Sequence, residues 1–324
     1  MKKKILITGI TGLIGSNTAR LLLNTFDELH ALVRPGTAQS RLADFQDKVN
    51  IVPLDLADIP KMKEFLKDNS FDTIIHIAAL RGGRKFSRKI YFDVNVNASE
   101  QLMINALNNG SEFVYCSSVG VFGTSPQILP ANNKSPQKAE NYYYFTKKRC
   151  EELIQKYILS GLKAVILRPS ITYGQGDFGF PYKLISLIEK GLLFFPKEDI
   201  TIHLTKVDLI SNIIVKLLKT EFKSGSAFII ADSEPVKLID LVNFISREIK
   251  GKEYGNSHRI SLSYFKLLIG ILQIFRKDEI ISSIELISKS WYYDVKSTYE
   301  DLNLKPVNTI SEFKSVLEWY INNK

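Results

Sequence analysis

The sequence predicts an α/β protein built on a doubly wound parallel sheet, with a smaller, discontinuous lobe formed mainly by its C-terminal half. Three observations carry this. Short apolar runs that suit buried strands alternate with helical periodicity about every thirty residues through the first half of the chain. The first run breaks into a glycine-rich turn that opens at once onto a helix. Finally, Gly9, Arg34, Asp55, Ala79 and Ser118 all fall at strand C-terminal ends, where ligands of such sheets gather.

The first strand and turn read Lys4-Ile5-Leu6-Ile7-Thr8-Gly9-Ile10-Thr11-Gly12-Leu13-Ile14-Gly15, followed by a helical run from Asn17 to Leu23. Backbone N–H groups at a helix N-terminus, aided by the helix dipole, bind a pyrophosphate, and glycines admit it without a Cβ in the way. Gly9, Thr11, Gly12, Leu13, Ile14 and Gly15 are therefore candidate phosphate contacts. The spacing is G-x-x-G-x-x-G, which also suits a tight strand-to-helix turn with no ligand.

Glu28 to Val33 reads as the second strand, ending in Arg34-Pro35-Gly36. An acid at this strand end grips a ribose 2′-hydroxyl, whereas an arginine takes a 2′-phosphate. No acid is present, and Arg34 with Arg41 favours NADP over NAD; the alternative is two ordinary surface arginines. Val49 to Leu54 is the third strand, closed by Asp55-Leu56. Asp55 either accepts a hydrogen bond from an adenine amino group or caps the next helix. Phe71 to Ala79 is the fourth, with Ala78 and Ala79 leaving room for a cofactor and His76 reading as a packed strand residue. A helix from Ile90 through Leu107 carries Asn95 and ends at Gly110, and Phe113 to Ser118 supplies the next strand.

Chemistry enters at Asn141-Tyr142-Tyr143-Tyr144-Phe145-Thr146-Lys147-Lys148-Arg149-Cys150-Glu151. On a helix, Tyr143 and Lys147 share a face. An ammonium beside a phenol lowers its pKa and makes it a usable acid or base, while a hydroxyl from Ser118 can hold a substrate oxygen. Spacing alone leaves Tyr144 and Lys148 as an equal pair.

Composition narrows the class. The chain has 324 residues, 45% of them apolar, enough for a sizeable core. No secretory pattern precedes the first strand, and the longest apolar stretch, Leu262 to Phe275, is short of a membrane span and carries Lys266. Cys116 and Cys150 have no metal-ligand spacing and read as packing residues in a reducing cytoplasm. The net charge of +9 is spread over scattered lysines without an aromatic-interleaved basic run, so neither a nucleic-acid groove nor a membrane is expected as partner.

Together these residues resemble the extended short-chain dehydrogenase/reductase superfamily, which includes the NAD-dependent epimerase/dehydratases. Thr8 to Gly15 is similar to its cofactor loop, Asp55-Leu56 to its adenine-side motif, and His76-Ile77-Ala78-Ala79 and Asn95-Val96 to its next landmarks. Ser117-Ser118-Val119-Gly120-Val121-Phe122-Gly123 resembles the serine motif, and Tyr143-x-x-Thr146-Lys147-x-x-x-Glu151 the catalytic helix, which settles the register on Tyr143. Arg168-Pro169-Ser170-Ile171-Thr172-Tyr173-Gly174 and the stretch from Trp291 to Trp319 resemble later segments. The resemblance implies a Rossmann domain over 1–169 and about 201–232, and a substrate lobe over about 170–200 and 233–324. It implies Ser118, Tyr143, Lys147 and Asn95 as catalytic residues, with Tyr143, Lys147, Pro169 and Ser170 also touching the cofactor. A homodimer through the helices near Ile90–Leu107 and Tyr142–Ile158 is a further implication.

Val119 and Gly120 stand where sugar-nucleotide 4,6-dehydratases carry an Asp-Glu pair, which argues against dehydration. Epimerases place an arginine before an I-H-V stretch; here Asp199, Ile200 and Thr201 precede Ile202-His203-Leu204. Apolar runs at Phe180 to Phe195 and Ile260 to Ile287 suit an aliphatic or aromatic carbonyl better than a sugar nucleotide if they line the crevice. The expected function is an NADP-preferring reductase or dehydrogenase acting on a hydroxyl/ketone pair, resembling dihydroflavonol-reductase-like and 3β-hydroxysteroid-dehydrogenase-like members. The alternative is an NAD-dependent sugar-nucleotide epimerase, and a non-enzymatic NADP-binding sensor or scaffold stands third.

Overall fold

The structure is a computed structural model in which residues 3–25, 28–81, 86–275 and 278–324 are described, the last segment without the side chains of 278 and 279. Seven strands form the sheet: β1 (Lys4–Thr8), β2 (Glu28–Val33), β3 (Asn50–Pro53), β4 (Thr73–His76), β5 (Glu112–Cys116), β6 (Lys163–Pro169) and β7 (Ala227–Ile230). Their order is β7-β6-β5-β4-β1-β2-β3. The pairings from β3 to β6 are parallel, and the bonds Ile166 N to Ser226 O and Ser170 N to Ile230 O advance together, so β7 runs the same way. Sheets of this kind are covered on both faces, and the middle of the inner strands is correspondingly apolar. Ile5, Leu6, Ile7, Ile74, Ile75, Val165 and Leu167 are all buried.

The chain divides into two compact units. The first runs to Val121 and includes Lys138–Pro169 and Val207–Phe228. Its helices are α1 (Leu13–Leu23), α2 (Ile59–Asp68), α3 (Arg88–Phe92), α4 (Ala98–Asn109), α5 (Tyr142–Ile158) and α6 (Val207–Lys219). Leu66, Leu102, Phe113, Leu153 and Ile166 meet in one core cluster beside the sheet. Asp58 caps α2 by accepting from Lys61 N at 3.2 Å, so the capping role open to Asp55 falls to Asp58 instead. Gly110 closes α4 at φ 67°, a left-handed position that costs glycine no Cβ clash.

The continuous helix expected from Ile90 to Leu107 is interrupted. Residues Asp93–Asn97 form a π turn between α3 and α4. Within it the Asn95 carbonyl accepts from Ser99 Oγ at 2.6 Å and from Cys150 Sγ on α5 at 2.9 Å.

The second unit comprises Phe122–Gln137, Ser170–Lys206 and Ile229–Lys324. Residues 122–137 and 201–206, which the sequence assigns to the nucleotide domain, group here. Ala131 exchanges backbone bonds with Tyr292 and Asp294, and Ser125 Oγ donates to Ser290 O at 2.8 Å. At the centre of this unit, buried Asp232 accepts from Tyr173 OH (2.7 Å), Thr309 Oγ1 (2.6 Å) and Lys206 N (2.9 Å).

Candidate active site

The turn from β1 into α1 is shaped by glycines that no other residue could replace in place. Gly9 sits at φ +81°, and a Cβ there would lie 2.8 Å from Ala78 N. A Cβ on Gly15 would lie 2.0 Å from the Gly9 carbonyl oxygen, so Gly15 is what lets α1 sit tight on the turn. Gly12 is exposed and donates to Gly9 O at 2.9 Å. As N-cap it provides no side-chain acceptor, and the first turn has no acid. The N–H groups of Leu13 and Ile14, which by position have no intrahelical acceptor, thus face an open cradle with the positive end of the dipole behind them. That cradle fits a pyrophosphate.

At the end of β2, Arg34 is exposed, and its carbonyl accepts from Thr37 N (3.2 Å) and Thr37 Oγ1 (2.7 Å) in a turn through Gly36. Neither the Arg34 nor the Arg41 guanidinium has a hydrogen bond or ion pair among the described residues. Asp55, at the end of β3, turns one carboxylate oxygen back to Ala57 N at 2.9 Å. Leu56 beside it, and Ala78 and Ala79 after β4, are half-buried.

The catalytic candidates lie around the C-terminal end of β5. Lys147 is buried and donates through Nζ to the Cys116 carbonyl at 2.5 Å. Its ammonium stands 4.7 Å from the Tyr115 ring centroid and 6.0 Å from that of Tyr143. Ser118 Oγ accepts from Gly120 N at 3.0 Å and is half-buried. A Cβ on Gly120 would meet Tyr144 Cε1 at 2.0 Å, so the glycine makes room for that ring. Asn141 caps α5 through Tyr144 N at 2.8 Å. That cap fixes where the helix starts, and hence that Tyr143 and Lys147 share its β5 side.

The electrostatics differ from the sequence expectation of a phenol depressed by Lys147. Burial pushes Tyr143 well up, and the nearby charge that opposes this is Arg81, a residue sequence reading did not single out. Burial likewise pulls Lys147 down, against the influence of Cys116, Cys150 and Glu151. The physical reason is burial, with Lys147 directing its Nζ to the Cys116 carbonyl beside the Tyr115 ring.

Asn95 has every arm of its carboxamide engaged. Its Oδ1 accepts from Leu80 N (2.7 Å), and its Nδ2 donates to Leu80 O (2.9 Å) and Thr146 Oγ1 (2.9 Å). Thr146 Oγ1 in turn donates to Tyr143 O at 2.7 Å. Asn95 thus ties the segment after β4 to α5. Pro169 ends β6, whereas Ser170 falls in the second unit and donates its hydroxyl to His203 O at 2.5 Å.

Two buried polar relays escaped the sequence reading. In the first, Thr8 Oγ1 accepts from both Ile77 N (3.2 Å) and Ala78 N (3.1 Å), so its own proton goes to His76 Nδ1 at 2.7 Å. His76 therefore carries its proton on Nε2 and donates it to Ser99 Oγ at 2.7 Å, and Ser99 donates to the Asn95 carbonyl. Burial, helped by the Lys147 charge, drives His76 down to about 3, so it stays neutral. In the second, Glu151 on α5 accepts from Ser117 Oγ (2.5 Å), Arg168 Nε (3.1 Å) and Arg168 Nη2 (2.6 Å). The signal for it was present, since Glu151 follows Lys147 by one helical turn, but its partner lies on a different strand.

The model of the NAD-dependent epimerase/dehydratase family matches residues 5–201. The chain belongs to that family. It is an enzyme of the extended short-chain dehydrogenase/reductase type. UDP-glucose 4-epimerase of Vibrio cholerae is 23% identical over 338 residues, covering 100% of this chain and 98% of its own length. A 3β-hydroxysteroid dehydrogenase/Δ5-Δ4 isomerase of Caenorhabditis elegans is 23% identical over 270 residues, covering 78% of this chain and 58% of its own. Among solved structures, UDP-glucuronic acid 4-epimerase of Bacillus cereus, in complex with NAD, superposes with a TM-score of 0.76 at 19% identity, covering 98% of this chain and 99% of that one. The Rossmann-type architecture of the sheet agrees with these members.

Proposed function

We propose that the protein transfers a hydride between NADP(H) and a secondary alcohol/ketone pair, working chiefly as a reductase. The observation that supports this reading is that Arg34, just after β2, and Arg41, one loop later, are exposed with no hydrogen bond or ion pair on either guanidinium among the described residues. No acid ends β2, and an arginine there suits a 2′-phosphate. The glycine cradle of residues 9–15 would hold the pyrophosphate, Asp55 and Leu56 the adenine, Arg34 and Arg41 the 2′-phosphate, and Tyr143 with Lys147 the second ribose. The nicotinamide supplies or accepts the hydride when bound.

The rest of the work falls to the chain's own side chains. Tyr143 keeps its phenolic proton at neutral pH and can pass it to a ketone oxygen, and the Arg81 charge works against the burial that makes the phenol a weaker acid. The hydroxyl of Ser118, with a lone pair fixed by Gly120 N, presents its proton to the same oxygen. Lys147, buried at the base of α5, and the Asn95–Thr146 link keep Tyr143 in register.

An epimerase of NAD-bound sugar nucleotides is the second reading, favoured by the match along the whole length of the Vibrio enzyme. Calorimetric titration with NADP(H) and NAD(H), repeated on Arg34→Ala, tests the two. Tighter NADP(H) binding that is lost in the variant, with added NADPH consumed by a hydrophobic ketone, supports the reductase. Equal or tighter NAD(H) binding that ignores Arg34, with cofactor retained on the purified protein, would sink it in favour of UDP-sugars.

A further inference from the structure

Ser118 stands just past the paired part of its strand. The pairing of β5 with β4 ends at Tyr115, and that with β6 ends at Cys116. One more backbone bond, Ser117 N to Leu167 O at 2.7 Å, follows before the chain turns at Val119. Sheet pairing alone therefore does not place Ser118. Two consecutive turns of α5 add the ties. Lys147 Nζ donates to the Cys116 carbonyl at 2.5 Å, and Glu151, four residues on along the same helix face, accepts the Ser117 hydroxyl at 2.5 Å.

Glu151 is itself held from outside its helix. Arg168 on β6 reaches it through Nε at 3.1 Å and Nη2 at 2.6 Å, and Glu151, Arg168 and Ser117 are all buried. A planar guanidinium fork fixes the orientation of a carboxylate as well as its distance. An acceptor fixed in this way, away from water, holds its donor hydroxyl in one rotamer. Against the burial that pulls Lys147 down, the Glu151 charge also supports the ammonium one turn before it.

We infer that Glu151, fixed by Arg168, is a positioning residue of the candidate site, setting through the Ser117 hydroxyl where Ser118 stands relative to Tyr143. That role rests on Ser118 and Tyr143 meeting the substrate oxygen. Glu151 acts through Ser117 and Ser118 and not on the reacting atoms. Cys116, Ser117 and Ser118 then form a short rigid span, its first two residues gripped by Lys147 and Glu151 and its third carrying the hydroxyl that must meet the substrate.

Crystal structures and steady-state kinetics of the parent, Ser117→Ala and Ser117→Thr test it. In Ser117→Ala the separation of Ser118 Oγ from Tyr143 Oη should change by more than about 0.5 Å. Its kcat should fall by about ten- to a hundredfold while KM and cofactor affinity hold. Ser117→Thr keeps the hydroxyl and should restore the separation and most of the rate. Glu151→Gln/Ser117→Ala should lose no more of kcat than Glu151→Gln alone, because both changes break the same tie. Turnover is read with NADPH and acetophenone, or with UDP-glucose, whichever the parent accepts. A parent inactive toward both bears on the proposed function alone, since the crystallographic comparison needs no substrate and still decides the positioning. An unmoved Ser118 Oγ in Ser117→Ala overturns the role. So does a change in KM with kcat intact, or a double variant whose losses add.

Discussion

Two buried carboxylates, one in each unit, are held in opposite ways. Glu151 is only 5% exposed in its side chain and faces a guanidinium, Arg168, in a two-pronged bond, with Ser117 adding a hydroxyl. Asp232 is fully buried and accepts from two hydroxyls and one backbone N–H. Burial pushes it up to about 6, against the pull of those donors. The first arrangement matches charge with charge and joins α5, β5 and β6 at the foot of the candidate site. The second holds a carboxylate by dipoles, so its proton is part of the fold's stability.

The sharpest way to break this contrast is to unpair Glu151. Arg168→Met should destabilise the protein by about 3–5 kcal/mol in denaturant unfolding, because it strands a buried charge, whereas Glu151→Leu/Arg168→Met should recover most of the loss. A double variant as unstable as the single one would show that packing, and not charge, is what Arg168 contributes.

Next comes the pH dependence. His76 lies at about 3 and His203 at about 4 in the folded chain, both below the usual 6.5, chiefly through burial. Each leaves stability complete above about 6.5 and takes it away as pH falls through the folded value, since the unfolded chain then binds the extra proton. Asp232 acts with the opposite sign: the folded chain binds the extra proton between 3.8 and about 6, so its contribution declines as pH rises across that window. Asp232→Asn should therefore steepen the rise of stability between pH 4 and 6, and should stabilise by about 1–2 kcal/mol at pH 8. Parallel pH profiles for parent and variant would mean that Asp232 does not titrate in this range.

Ser117→Ala is the smallest of the set. It removes one hydroxyl from a carboxylate that keeps Arg168, and should cost about 1–2 kcal/mol in the same unfolding measurement. A loss as large as that of Arg168→Met would make the serine, and not the guanidinium, the principal partner.

The legible parts of this chain were those written in local pattern. Lys4–Thr8 followed by three glycines announces a strand, a tight turn and a helix start, because each requirement acts on residues adjacent in sequence. The apolar strands of the sheet announce themselves for the same reason. The capping role offered to Asp55 belongs to Asp58, which stands directly before the α2 start, while Asp55 bonds Ala57 N instead. Glu151 shows its helix but not its partner, because Arg168 reaches it from β6 across a fold that brings distant segments together. The Leu262–Phe275 stretch is apolar nearly throughout, so its sequence does not show which side is covered; the structure buries Phe265 and leaves Tyr264, Leu267, Ile274 and Phe275 exposed.

The π turn at Asp93–Asn97 makes length, more than composition, the quantity under constraint there. Deleting any one of these five residues would close the turn to α geometry and swing Arg88–Phe92 through about 100° around the helix axis. Tyr91 would leave the Arg81 carbonyl that it now meets at 2.7 Å, and the bond from Cys150 Sγ to the Asn95 carbonyl would lose its geometry. The spacing between Tyr91 and Ser99 behaves as a ruler that tolerates no missing mark.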